Sequence, residues 1–210
     1  MSIFTRRNLL LGGLAGGTGA ALGAMLIPPA HRVEAQGLTA EDVLFDPDSP
    51  VLGNPEGDIT IVEFFDYQCP YCKMNHPDLI DVVAEDGNIR LVMKDWPIFG
   101  SASIRASQLA LGAVDVGAYE AANKALMATQ GRLTEAGIEK VLRNAGLVPD
   151  ALDTAYRTSR GKWDGLMTRN GAQAAQLGLQ GTPAFIIGNT IYPGAMDRTA
   201  LQEAVADSRA

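Results

Sequence analysis

Nine consecutive residues constrain this chain more than anything else in it. Residues 59–67 read ITIVEFFDY, a run of β-branched and aromatic side chains that predicts a strand. Successive side chains of a strand point to opposite faces. Ile59, Ile61 and Phe65 therefore share one face, and Val62 and Phe64 the other. Both faces are apolar, so the strand belongs inside a sheet covered on both sides, as in parallel or mixed sheets between helices. Glu63 interrupts the pattern. A carboxylate in the middle of such a strand is costly unless it is paired or protonated.

The surrounding sequence supplies the covering layers. A helix is expected from Pro70, a residue tolerated in a first helical turn, to about Val83. Pro77 falls inside it and is expected to kink it. Ile89–Asp95 reads as a second strand, completing a βαβ unit. From about Ser101 to Gln180 the pattern is helical. Ala106, Leu109, Ala110, Ala113 and Val114 form one stripe, and Ile138, Val141, Leu142 and Ala145 another, with Thr134 as a candidate N-cap. Pro149 and Asp150 open a further helix, and residues 162–177 form the last of the block. Ala184–Ile187 and Thr190–Tyr192 flank Gly188-Asn189, a hairpin signal. A final helix is expected over 197–206. Residues 36–58, rich in Pro, Gly and Asp, read as an ordered arm or linker. The expected fold class is α/β. A βαβ…ββα sheet domain (59–96 with 181–207) carries an inserted helical block (97–180).

Composition narrows the function. An apolar fraction of 47% excludes disorder along the whole chain, and a net charge of −7 argues against a nucleic-acid partner held by a broad basic patch. Two cysteines are too few for a disulfide scaffold.

The first 35 residues read as an address. Arg6 and Arg7 precede an apolar stretch, 9–27, that contains six glycines. Pro28, Pro29 and the small-residue site ending at Ala35 follow. This is the layout of an export signal, and the arginine pair before Leu9-Leu10 resembles a twin-arginine signal. Nineteen apolar residues are also long enough for a membrane anchor. The glycines and the cleavage site favour removal after Ala35. The body of the protein would then work in the periplasm, where disulfides persist.

Cys69-Pro70-Tyr71-Cys72 stands where a strand ends and a helix begins. Three chemistries compete. A zinc site needs four ligands, and Cys69, Cys72 and His76 leave it one short. A purely structural disulfide closing four residues gains roughly 2 kcal/mol from chain entropy, against about 3 for a fifteen-residue loop. The third is a redox dithiol, the usual meaning of Cys-x-x-Cys beside a βαβ pattern. The helix start supplies its mechanism. Free N–H groups and the positive end of the helix dipole stabilise a thiolate at the first turn. Cys69 is therefore expected to be the exposed, attacking sulfur with a lowered pKa, and Cys72, one turn in, the buried resolving sulfur. His76 reads as an ordinary, partly exposed surface histidine. Lys94, on the neighbouring strand, is the expected partner of Glu63.

The stretches IVEFFDYQCPYCKMNHPDL, RLVMKDWPIFG and LGLQGTPAFIIGN, with YPGA, resemble the DsbA-like thiol:disulfide oxidoreductases of the thioredoxin superfamily over about residues 50–207. The resemblance implies a thioredoxin fold with a helical insertion. It implies that Cys69 and Cys72 are the active-site pair, and that Pro183 after Thr182 is a cis-proline facing them. Pro77 would be the helix-kinking proline and Glu63 an acid near the buried cysteine. Glu63 and Lys94 would then carry protons to and from Cys72. Pro70, Tyr71, Thr182 and Pro183 would border the substrate, with the Thr182 backbone pairing to an extended peptide.

The implied activity is disulfide formation in exported proteins, without metal or organic cofactor. Its partners would be substrate thiols and a membrane redox protein, by analogy a quinone-linked oxidase. Pro70-Tyr71 and Thr182 also occur in isomerase- and reductase-like relatives. An isomerase or reductase kept reduced by a membrane electron donor is therefore the alternative, and a peptide-binding chaperone with idle cysteines a third reading.

Overall fold

A computed structural model describes residues 37–210. The export signal and its cleavage after Ala35 fall outside the described residues.

The strand at 59–67 is central, as its two apolar faces require. β1 (Val51–Gly53), β2 (Ile59–Phe65), β3 (Ile89–Asp95), β4 (Ala184–Ile187) and β5 (Thr190–Pro193) form one sheet in the order β1-β3-β2-β4-β5. β2 runs parallel to β3, Ile59 beside Ile89 and Phe65 beside Asp95. It runs antiparallel to β4, and β4 to β5. The β4–β5 turn is at Gly188-Asn189, where Gly188 takes the left-handed φ of 58° that a tight hairpin needs.

Eight helices cover the described residues: α1 (Ala40–Leu44), α2 (Pro70–Asp86), α3 (Ser101–Val114), α4 (Tyr119–Met127), α5 (Glu135–Asn144), α6 (Pro149–Thr158), α7 (Arg160–Gln176) and α8 (Arg198–Ser208). Ile61 and Phe65 pack in a core with Leu79 and Val83 of α2, Leu201 of α8 and residues of α3 to α6. Val62 and Phe64, on the opposite face, pack with Val43 of α1 and Ala174 of α7. The fold is thus α/β with the helical segments between β3 and β4, and the C-terminal part of α7 lies against the sheet.

The arm is ordered, and it holds two elements that the sequence reading did not resolve. Thr39 and Asp42 form a reciprocal capping box at the start of α1. β1 adds an antiparallel edge to β3. α2 contains Pro77 within an unbroken helical span and stops at Gly87, whose φ of 70° suits a left-handed cap. Thr134 caps α5 as expected, accepting from the Gly137 N–H at 3.1 Å.

Candidate active site

The site is assembled where β2 runs into α2. Asp66, just past the strand, is buried and organises the crossing. Its carboxylate accepts from the N–H groups of Gln68 at 2.6 Å, Ile98 at 2.7 Å and Phe99 at 3.0 Å. Gln68 then ties the turn to the helical segments. Its amide donates to the Phe99 carbonyl at 3.0 Å and to Ser103 at 3.2 Å, and it accepts from the Leu133 N–H at 3.2 Å. Asp66 and Gln68 are functional supports that the sequence reading missed. Only their proximity to the cysteines marks them.

Cys69 is the N-cap of α2, with extended backbone, and its sulfur accepts from the Cys72 N–H at 3.4 Å. Both cysteines are free thiols. The Thr182–Pro183 peptide is cis, and the Thr182 carbonyl lies 3.2 Å from the Cys69 sulfur, which donates to it as a thiol. Pro183 is buried and Thr182 half-buried. The strand–helix boundary and the β4 loop therefore bring Cys69, Cys72, Thr182 and Pro183 together.

The two sulfurs are electrostatically unequal. A hydrogen bond from the Cys72 thiol holds the Cys69 thiol down to about 6 against its burial, with smaller help from the Thr182 side chain and from the backbone N–H groups of Cys72 and Tyr71. Burial pushes the Cys72 thiol far up, and its hydrogen bond to Cys69 and the nearby Glu63 push the same way. One correction concerns access. Cys69 is only 1% exposed, not an exposed sulfur, because it turns inward against Thr182. Its surroundings are open instead. Pro70 is exposed, and Tyr71 and Met74 are 60% and 65% exposed. A groove of about 650 Å³ is lined by Pro70, Met74, Phe99 and Arg132 among others. Another of about 550 Å³ is lined by Thr182, Pro183, Ile191 and Gly194 among others.

Glu63 is fully buried on the sheet face that carries Ile61 and Phe65. Burial, the Cys69 charge and Asp95 push its carboxyl up to about 8. The expected Glu63–Lys94 pair does not exist. In the parallel register Glu63 lies beside Met93, and Lys94 lies beside Phe64 on the opposite face. Lys94 instead meets Asp46 of the arm at 3.7 Å, and burial lowers its pKa to about 8. Lys94 is therefore separated from Cys72 by the sheet, and the expected Glu63–Lys94 relay to Cys72 is not built.

His76 also departs from expectation. It is buried at 6% exposure, not on the surface. Burial and the Lys124 charge lower its pKa to about 4, so it is neutral near pH 7 and adds no positive charge to the thiols. Among the described residues no three His, Cys, Asp or Glu side chains converge to hold a metal ion.

A family model described as Thioredoxin matches residues 46–207. A thioredoxin-like oxidoreductase from Silicibacter pomeroyi superposes with a TM-score of 0.77 at 38% identity, over 82% of this chain and 98% of that one. The thiol-disulfide exchange protein alpha-DsbA2 from Wolbachia pipientis gives 0.74 at 28% identity, over 80% and 90%. A periplasmic thioredoxin-like protein from Salmonella enterica serovar Typhimurium gives 0.71 at 32% identity, over 80% and 94%. A curated relative, the Na(+)/H(+) antiporter NhaA 1 of Salinispora arenicola, is 29% identical over 194 residues. That is 88% of this chain but 29% of the antiporter, so the likeness concerns a minor part of that protein.

Proposed function

This chain belongs to the thioredoxin family, and from that premise we propose that it is an exported thiol:disulfide oxidoreductase that donates the Cys69–Cys72 disulfide to other exported proteins. The observation that carries the reading is the asymmetry of the pair. Cys69, at the start of α2, is held near 6, while Cys72 beneath it is pushed far up. A stabilised Cys69 thiolate favours the reduced enzyme, which makes the disulfide a better oxidant.

The cycle follows from the two sulfurs. A substrate thiolate attacks Cys69, the Cys69–Cys72 bond breaks, and Cys72 leaves with the electron pair and takes up a proton. A second substrate thiolate attacks the substrate sulfur of the mixed disulfide. Cys69 leaves as the thiolate, and the substrate keeps the new disulfide. The enzyme is then reduced by two electrons and needs an oxidising partner, assigned here to a quinone-linked membrane oxidase. An extended substrate segment would lie between the two grooves, against Pro70, Tyr71 and the backbone of Thr182. Export is supported by the twin-arginine-like start and by the similarity to a protein described as periplasmic.

The Pro70-Tyr71 pair and Thr182 support the alternative, an isomerase or reductase kept reduced by a membrane donor. The deciding experiment equilibrates residues 37–210 with glutathione redox buffers. A potential toward about −120 mV, the value of a strong oxidant, supports disulfide donation. One toward about −270 mV, that of thioredoxin, overturns it in favour of the reducing role. Full biological activity retained by a Cys69→Ala protein would instead mark a peptide-binding chaperone.

A further inference from the structure

Beneath the cysteines lies a second buried acid that the cycle above does not use. Asp95 ends β3. Its register partner is Phe65, so it faces the same side of the sheet as Glu63, one step along. Both residues are wholly buried. Neither Glu63 oxygen has a hydrogen-bond partner, and the polar side chains that ease the burial of Asp95 are the Ser107 and Tyr119 hydroxyls of α3 and α4. Among the described residues the only buried lysine or arginine is Lys94, which is turned to the other face, so no buried cation of that kind balances them here. Two buried carboxyls on one sheet face, each within reach of the other's charge and with no cation between them, cannot both ionise readily.

We propose that Asp95 is the partner of Glu63, and that the two form one acid pair holding a single shared proton through the neutral range. Asp95 acts through Glu63 and does not touch the sulfurs, so it is a positioning residue. Its negative charge keeps Glu63 in the acid form, ready to hand its proton to Cys72 as that sulfur leaves the disulfide. In the reverse direction Glu63 takes the proton from the Cys72 thiol as the latter attacks Cys69. No proton is lost: it moves between one sulfur and one carboxylate. The directions of the two shifts agree: burial, then the Cys69 charge and Asp95, hold Glu63 near 8, and burial with the Asp66 charge holds Asp95 near 7.

The groups facing the pair are few. Cys69 and Cys72 approach Glu63 from α2. Asp66 and Tyr67 approach from the turn after β2, and Tyr119 from α4. The Ser107 hydroxyl of α3 lies beside Asp95 and opposes its shift. Tyr67 is held by Asn123 at 3.2 Å, and both tyrosines stay neutral because burial drives them upward. α3 and α4 therefore close the acid pair off from water, a role for the helical segments in the redox chemistry itself.

The inference rests on Cys69 and Cys72 being the exchanging pair, and the test separates the two ideas. Reduced protein is mixed with glutathione disulfide, and two phases are followed by stopped flow from pH 5 to 10: attack by Cys69, then expulsion of glutathione by Cys72. Asp95→Asn should shift the pH midpoint of the second phase down by about one unit or more, because Glu63 then ionises without a charged neighbour. The first phase should keep its midpoint. An unmoved second midpoint overturns the acid pair while leaving the dithiol reading intact. No reaction at all in the unaltered protein overturns both. Should Asp95→Asn fail to fold, carboxyl ¹³C titration of the unaltered protein decides. Two coupled steps for Glu63 and Asp95 support the pair. Independent single steps, or an Asp95 ionised throughout, overturn it.

Discussion

Glu63 and Lys94 sit on adjacent parallel strands and point to opposite faces of the sheet. Register decides this: Glu63 is level with Met93, and Lys94 with Phe64. The lysine holds the arm instead, through Asp46, which Arg169 also grips at 3.1 Å.

Lys94→Met therefore separates fold from chemistry. Asp46 keeps Arg169 when the lysine is lost, so the cost should stay below the about 3–5 kcal/mol of an orphaned buried charge. The pH profile of thiol exchange should not move. Urea unfolding and exchange kinetics on the same sample check both. A displaced pH midpoint would return Lys94 to the proton path.

Cys69 should titrate near 6, read as thiolate absorbance at 240 nm in the reduced protein, with Cys72→Ser as the single-sulfur control. The sign follows from linkage. A thiol whose folded pKa is depressed stabilises the folded, reduced form fully above its unfolded pKa near 9, and the gain is lost as pH falls through 6. At pH 7 the gain is about 1.4 kcal/mol, which raises the reduction potential by roughly 30 mV over an unshifted thiol. In Cys72→Ser the hydroxyl still donates to the Cys69 thiolate, so the midpoint should stay well below 9. A control titrating at its unshifted value would mean that Cys72 alone sets the Cys69 acidity.

Much of this was legible in the sequence, and what was not depends on register and packing. ITIVEFFDY announces a doubly covered strand because both of its faces are apolar, and the core divides accordingly between Ile61 and Val62. The cysteine pair is legible because its position at a strand–helix boundary carries its own electrostatics. Lys94 was misplaced because a one-residue difference in register moves a side chain through the sheet. Asp95 is legible in the sequence only as the last residue of a strand, and the helices laid over it bury it. His76 looked like a surface residue for the same reason. β1 has three residues and α1 five, too few for any periodicity to show.

His76 should make the protein acid-sensitive. Its folded pKa, near 4, lies below the ordinary value of 6.5, so the unfolded chain binds the proton more readily between the two. Stability should fall as pH drops from about 6.5 to about 4, by on the order of 3 kcal/mol, and then level off. His76→Phe should flatten this loss. Guanidinium unfolding of both proteins at pH 4, 5.5 and 7 measures it. An equal loss in the variant would mean that His76 is already protonated in the folded state.

Glu63 runs the opposite way, and its variant tests whether the acid is kept at the expense of the fold. Its folded pKa is raised from 4.5 to about 8, so the unfolded chain ionises first as pH climbs. The stability loss is absent below 4.5, grows through the neutral range and is complete above 8. By pH 7 it amounts to roughly 3 kcal/mol. Glu63→Gln leaves a buried amide with its own constant cost, so the informative quantity is the difference between the two proteins as a function of pH. That difference should move in favour of the variant from pH 5 to 8 in the reduced state. Part of the shift comes from the Cys69 thiolate, which the disulfide lacks, so the trend should be shallower in the oxidised state. Equal slopes in the two redox states would show that Glu63 does not sense the Cys69 charge, and would leave burial and Asp95 as the only sources of its shift.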